Sequence, residues 1–358
     1  MSDARERVAA AMRALLPTDP DPALLGALVH GSQGSPVAEG LDSGRVQALF
    51  FDPIRCIAAR GGKSWRSLLL EACCEAVGGD FTPYESLLAL PELIHVGSLI
   101  VDDVQDASTV RRGGPCAHVT YGSALAVNAG TGAYFLAEHA LAVAPLEVGQ
   151  RDRIRGLMFE AFRGAHVGQA LDLGGLDEVA DAVLDGRRPP NDLVREVEVV
   201  HWLKAALPAA AFARVGCVLG NADPHELEAV GAYVEAVGMA FQAIDDVLNL
   251  RGFAGDLKER GEDLRDGKLT LPVAHGIARL PRPEARLLWA SIRARPTEPS
   301  EVHALVAVLE GCGALDAVDT DAHERVSRAW GVLEATLGDR PGLATLHRLG
   351  EQLLRRHY

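Results

Sequence analysis

Two acidic clusters carry the residue types that chemistry would need. The first is Asp102-Asp103-Val104-Gln105-Asp106, preceded by the apolar run Leu99-Ile100-Val101 and followed by Arg111-Arg112-Gly113. Asp102 and Asp106 are four positions apart, so a helix points both carboxylates from one face, where they repel. A cation between them removes that penalty. Mg²⁺ suits such a place, because it takes a few carboxylates and completes its shell with water and phosphate oxygens. A short acidic motif of this kind reads equally well as a solvated helix end. The second cluster is Phe241-Gln242-Ala243-Ile244-Asp245-Asp246-Val247-Leu248-Asn249, again where an apolar helix runs into an Asp pair. Two such clusters in opposite halves of the chain lead us to expect facing walls of one metal-lined cavity.

A basic set accompanies them. Gly61-Gly62-Lys63-Ser64-Trp65-Arg66 opens an early helix, with Lys63 and Arg66 three apart. A glycine pair lets backbone approach an anion, and a helix N-terminus favours negative charge. Taken alone, the pair is as well read as a surface feature. His95 lies two helical turns before Asp102, where a hydrogen-bonded core histidine is the plainer reading. Lys204 interrupts an apolar helix and needs an anionic partner if buried. Gly168-Gln169-Ala170-Leu171-Asp172 is a further polar interruption, read as support for a site or as helix packing. Beyond the second cluster come Lys258 and the run from Gly261 to Pro272, where lysines could cap phosphates.

The elements that must position these residues are helices. Apolar periodicity predicts helices over Ser64–Ala76 and from Pro83 to about Asp106. Alternating strand patterns and Asn-Gly hairpin signals are missing. The charged, Pro-containing stretch Asp177–Asn191 reads as a surface excursion. Four prolines between Pro281 and Pro299 set off a terminal helical layer, about 283–358. The expectation is an all-α bundle, one domain over 1–358. The 358 residues carry 35 basic and 49 acidic side chains, a net charge of −14 that argues against nucleic acid as partner. No run approaches the roughly 18 apolar residues of a membrane helix. The N-terminal stretch lacks a signal peptide's apolar core. Cys56, Cys73, Cys74, Cys116, Cys217 and Cys312 show no metal spacing and are expected as reduced thiols in a cytoplasmic protein.

Taken in order, GGKxxR, DDxxD with RRG four residues on, GQxxD, a helix with Lys, FQxxDD and GxDLxxGKxTLP resemble the trans-polyprenyl diphosphate synthases, over 61–272. The resemblance implies an all-α isoprenoid synthase fold with a deep central cavity, usually a homodimer. It implies a transferase that joins isopentenyl diphosphate to an allylic diphosphate with loss of pyrophosphate. Asp102, Asp106 and Asp245 would bind Mg²⁺, about three ions with bound diphosphate, with Asp103, Asp246 and Asn249 in support. Arg111, Lys204, Gln242 and Lys258 would hold the allylic diphosphate. Lys63, Arg66, His95 and Arg112 would hold the isopentenyl diphosphate.

Several positions depart from the family pattern. Val101 stands where His is usual, Asn249 for the last Asp of the second cluster, Ala205 for Thr, Ser67 for Pro and Thr131 for Asp. The complete basic set favours elongation over the alternatives, a terpene cyclase or a prenyltransferase to a non-isoprenoid acceptor. In the family, residues just before the first acidic cluster limit product length. Gly97 and Ser98 are small, so the expected product is geranylgeranyl diphosphate or longer, with Tyr134 and Phe135 as candidate floor residues. Close helix packing is the competing reading of Gly97.

Overall fold

The computed structural model describes residues 2–30, 40–62, 64–252 and 260–355. They are helical almost throughout, in two compact units. The first holds Met1–Glu75, Gly79–Arg155 and Val218–Gly220; the second holds Ala76–Gly78, Gly156–Cys217 and Asn221–Tyr358.

The Ala89–Gln105 helix is the spine of the first unit, burying Leu90, Leu93, Ile94, Val96 and Ile100 along one stripe. It packs against the Ser123–Val143 helix. Gly97 and Gly130 meet at the crossing, where an added Cβ on Gly97 would lie 2.5 Å from the Gly130 carbonyl oxygen. Two residues without side chains let the backbones approach at this crossing. The helix expected from Pro83 begins instead as a 3₁₀ stretch, Thr82–Leu88, with Tyr84 off helical geometry.

The second unit is built on the Pro224–Arg251 helix. Its start is fixed by a capping box. Asp223 accepts from the amides of His225 (2.7 Å) and Glu226 (2.9 Å), and Glu226 accepts from the Asp223 amide at 3.0 Å. Pro224 at the first helical position sacrifices no hydrogen bond. The helix packs on Ala314–Leu337 and on a π-helical turn, Trp202–Ala206. A Cβ on Gly238 would stand 2.7 Å from Ala206 Cα.

Three sequence expectations need correction. Asp177–Asn191 is not a bare excursion: Asp177–Leu184 is a helix that buries Ala180, Val183 and Leu184. A two-stranded hairpin, Val110–Arg111 with Gly114–Pro115, interrupts the all-helical pattern. Two helices, Pro190–Leu219 and Pro224–Arg251, are long and apolar enough by composition to cross a membrane. Their most apolar windows are 61% and 67% buried within the chain, as core helices are. The terminal layer runs from Arg282 to Leu354 as four helices. All six cysteines are free thiols.

Candidate functional site

The first acidic cluster sits at the C-terminal end of its helix, with Asp106 as the capping residue. That end carries the negative pole of the helix, so three carboxylates there are disfavoured until a cation meets them. The chain supplies one. Arg111 donates to Asp103 Oδ1 through Nε (2.8 Å) and Nη2 (2.5 Å), and reaches Asp102 Oδ2 at 4.0 Å. Burial works against the Arg111 charge, but Asp103 and Asp102 outweigh it and raise its pKa. Asp103 is fully buried, Asp102 half-buried and Asp106 exposed. Asp103 also faces the Cys116 thiol, which burial first and the carboxylate second push up to about 11.

The hairpin sends neighbouring arginines in different directions. Arg112 and Gly113 form its two-residue tip, with φ of +50° and +73°, as a primed hairpin turn requires. Arg60 braces it by donating to the carbonyls of Arg111 (2.9 Å) and Pro115 (2.8 Å). While Arg111 turns to Asp103, the Arg112 guanidinium packs on Gly62, 3.0 Å from where a Cβ would stand. A side chain at position 62 would require the guanidinium to shift by a few tenths of an ångström. Arg66 stacks on the Trp65 ring at 4.3 Å. His95 is held well below its ordinary pKa by burial, then by the positive charge of Arg66, Arg112 and Arg111. It is therefore a neutral imidazole among arginines. Glu92, one turn before His95, is buried beside the same group. Burial raises its pKa against the pull of Arg66 and Arg112. Arg66, His95, Arg111 and Arg112 are thus brought together as expected. Lys63 lies outside the described residues. A cavity of about 820 Å³ in this unit is bounded by Gly61, Gly62 and Glu92 and by the N-terminal helix residues Val8 and Met12.

In the second unit Lys204 lies in the Trp202–Ala206 turn and pairs with Asp172. Gly168 lets the two segments meet: a Cβ there would be 2.6 Å from Leu203 Cβ and 3.0 Å from Lys204 Cγ. Asp245 and Gln242 are half-buried on the Pro224–Arg251 helix, and Asp246 is buried. Gln242 Nε2 donates to Asp246 Oδ1 at 3.3 Å, and the Leu271 amide donates to Oδ2 at 3.0 Å. Burial raises the Asp246 pKa to about 7. His201 stands 3.5 Å from Oδ2, and burial lowers it to about 4. Asn249 is buried, and its Oδ1 accepts from the Asp263 amide at 3.2 Å. Asn249 thus ties down the segment after the helix. Lys258 lies outside the described residues.

Among the described residues no three His, Cys, Asp or Glu side chains are gathered as a ready-made metal cage. Exposed and half-buried carboxylates at helix ends fit Mg²⁺ better than zinc. They leave its shell to be completed by water and phosphate oxygens.

The chain-length positions divide. Gly97 is buried against Gly130, Ala133 and Tyr134. Its smallness therefore serves the packing of the two helices. Ser98 is exposed, with Oγ donating to the His95 carbonyl at 2.8 Å. Phe135 is 72% exposed, which removes it as a floor within the first unit. Two departures have local explanations. Ser67 is fully buried and donates to the Leu88 carbonyl at 2.6 Å, and Thr131 Oγ1 donates to the Val127 carbonyl at 2.8 Å. Glu92 and His201 were not singled out from the sequence. A carboxylate and an imidazole in apolar helical runs were the only signal.

The polyprenyl synthetase family model matches residues 47–309. A chloroplastic geranylgeranyl pyrophosphate synthase of Arabidopsis thaliana is 33% identical over 234 residues, 64% of this chain and 64% of its own length. The crystal structure of a geranylgeranyl pyrophosphate synthetase from Pyrococcus horikoshii Ot3 matches with a TM-score of 0.77 at 25% identity, over 98% of both chains. A polyprenyl synthase from Caulobacter crescentus CB15, crystallised with calcium and isoprenyl diphosphate, matches with a TM-score of 0.71 at 26% identity. That match covers 99% of this chain and 98% of the other.

Proposed function

The chain belongs to the polyprenyl synthetase family, and we propose that it is a Mg²⁺-dependent prenyltransferase that condenses isopentenyl diphosphate with an allylic diphosphate, releasing pyrophosphate. The observation that carries this reading is the Arg66, His95 and Arg112 group beside Gly62 in a chain that also keeps both acidic clusters. A cyclase or a transferase to another acceptor has no use for a second diphosphate site. The matched segment spans 64% of the length of the plant relative.

In this reading Asp102, Asp106 and Asp245 hold Mg²⁺, which neutralises charge on the departing diphosphate when bound. Lys204, Gln242, Arg111 and Lys258 hold the allylic diphosphate, and Lys63, Arg66, His95 and Arg112 hold the isopentenyl diphosphate. Breaking the allylic C–O bond leaves a carbocation and an anion, and lysines and arginines aimed at that anion lower the barrier. The double bond of the second substrate attacks the cation. Apolar walls keep water from quenching it, and the displaced pyrophosphate can take the final proton. Neutral His95 offers an N–H to phosphate without adding charge to three arginines.

The proposed product is geranylgeranyl diphosphate or longer, supported by the small, exposed Ser98. We also propose a cytoplasmic homodimer; six free thiols accord with a reducing compartment. The test is incubation of the purified protein with Mg²⁺, isopentenyl diphosphate and dimethylallyl, geranyl, farnesyl or geranylgeranyl diphosphate. Mass spectrometry of the dephosphorylated products should find linear chains with added isoprene units. Consumption of an allylic substrate with isopentenyl diphosphate untouched would overturn elongation.

A further inference from the structure

One buried side chain of the second unit has no place in that reaction. His201 ends the Pro190–His201 helix three residues before Lys204. Its Nε2 lies 3.5 Å from Asp246 Oδ2. Its Nδ1 is buried and meets no hydrogen-bond partner among the described residues. A neutral imidazole carries one N–H, which belongs on the nitrogen that faces an acceptor. That nitrogen is Nε2. Asp246 is also met by the Leu271 amide and by Gln242 on its own helix. Its carboxylate is therefore a junction of three separate segments. One carries Lys204, one carries Asp245, and one begins the Leu271–Arg279 helix. The segment with Lys204 is a π-helical turn. Such turns are rare and are frequent at functional sites.

We propose that His201 is a positioning residue: its Nε2–H, set against Asp246, fixes the segment bearing Lys204 relative to the helix bearing Asp245. The proposal rests on the prenyltransferase reading and deepens it. His201 itself touches no substrate. A side chain that fills the space without a donor removes this 3.5 Å polar contact from Asp246, and the segment bearing Lys204 is then held by the Lys204–Asp172 pair without it.

The experiment compares wild type, His201→Leu and His201→Gln as full chains, with folding checked by circular dichroism. A glutamine amide reaches roughly where Nε2 stands. The first readout is kcat, KM for each substrate and the Mg²⁺ concentration giving half-maximal rate. The second needs no turnover: the rise in melting temperature on adding Mg²⁺ with inorganic pyrophosphate. The Leu variant should lose about tenfold in kcat, as small misplacements of reacting groups do. It should also need several-fold more Mg²⁺ and show a smaller pyrophosphate shift. KM for isopentenyl diphosphate should stay within about twofold, because its proposed ligands belong to the first unit and His201 to the second. Glutamine should restore most of each loss.

Wild-type behaviour in the Leu variant overturns the proposal. So does a Gln variant as impaired as Leu, since shape and not the donor would then matter. If the Leu variant fails to fold, His201→Asn replaces it. The shorter amide should be impaired where Gln is not, and equal behaviour overturns the proposal. A wild type that binds Mg²⁺ and pyrophosphate without elongating removes the elongation reading alone, and the melting shifts then judge His201. A wild type that does neither removes both.

Discussion

Asp102 and Asp103 are neighbours in the chain and differ sharply in surroundings. Asp103 is fully buried on the Arg111 guanidinium, whereas Asp102 keeps an open side. Their substitutions should therefore separate stability from turnover. Asp103→Asn should cost about 2 kcal/mol in urea unfolding, the scale of a hydrogen bond to a charged group. Asp102→Asn should leave the urea midpoint nearly unchanged and cut kcat by two orders of magnitude or more. The chain-length positions separate in the same way. Gly97→Phe places a ring where a Cβ alone would be 2.5 Å from the Gly130 carbonyl. The outcome expected is several kcal/mol of destabilisation from overpacking, and no clean shortening of the product. Ser98→Phe projects from an exposed position and should shorten the longest product seen by mass spectrometry, with the fold intact. His95 makes a pH prediction. Its folded pKa is depressed by burial and three arginines, so the unfolded chain takes up a proton first as pH falls. Its contribution to stability should be present at neutral pH and decline below about pH 6.5. Asp246, raised to about 7, acts in the opposite sense, so the comparison must be made by difference. The stability gap between wild type and His95→Gln should shrink on acidification. A gap independent of pH from 7 to 5 would show that His95 is not held neutral.

At the scale of elements, the helices were legible because apolar residues recur at helical spacing through Ala89–Gln105 and Pro224–Arg251. Gly78-Gly79, Gly174-Gly175 and Pro189-Pro190 also fall beside helix ends. The hairpin was not legible. Its strands are two residues long, and nothing in Arg112 announces a left-handed conformation. The helix Asp177–Leu184 was hidden by its own charges, since its buried face is mostly alanine and valine. The π-helical turn at Trp202–Ala206 leaves no mark in periodicity, yet it aims Lys204. Nor could composition tell that Gly97 sits at a close helix crossing. One cap was readable after the fact: Asp223-Pro224-His225-Glu226 has the spacing of a capping box. It starts the helix that bears Asp245 some six turns later. Asp223→Ala should cost about 1 kcal/mol in denaturant melts and leave kcat unaltered. A loss of activity as large as the loss of stability would mean that the helix start is coupled to the acidic cluster.

For the molecule as a whole, the net charge of −14 opposes close approach of two copies, so association needs an apolar face. The first unit exposes several large apolar side chains. Phe135, Val143 and Val148 are 72%, 62% and 72% exposed around the end of the Ser123–Val143 helix. Single exposed apolar residues are ordinary, and the phenylalanine is the bulkiest of the three. The proposed homodimer is expected to bury them. Light scattering on the eluted protein should give a mass near twice 38.0 kDa. Phe135→Glu should shift that mass toward the single chain while far-UV circular dichroism stays unchanged, because Phe135 makes little of the unit's own core. A charge at this point would face its own copy across a twofold contact, doubling the repulsion. If the Glu variant stays dimeric, the interface lies on another face. If wild type is already a single chain, the exposed phenylalanine serves something other than self-association, and the homodimer is lost from the proposal while the prenyltransferase reading stands.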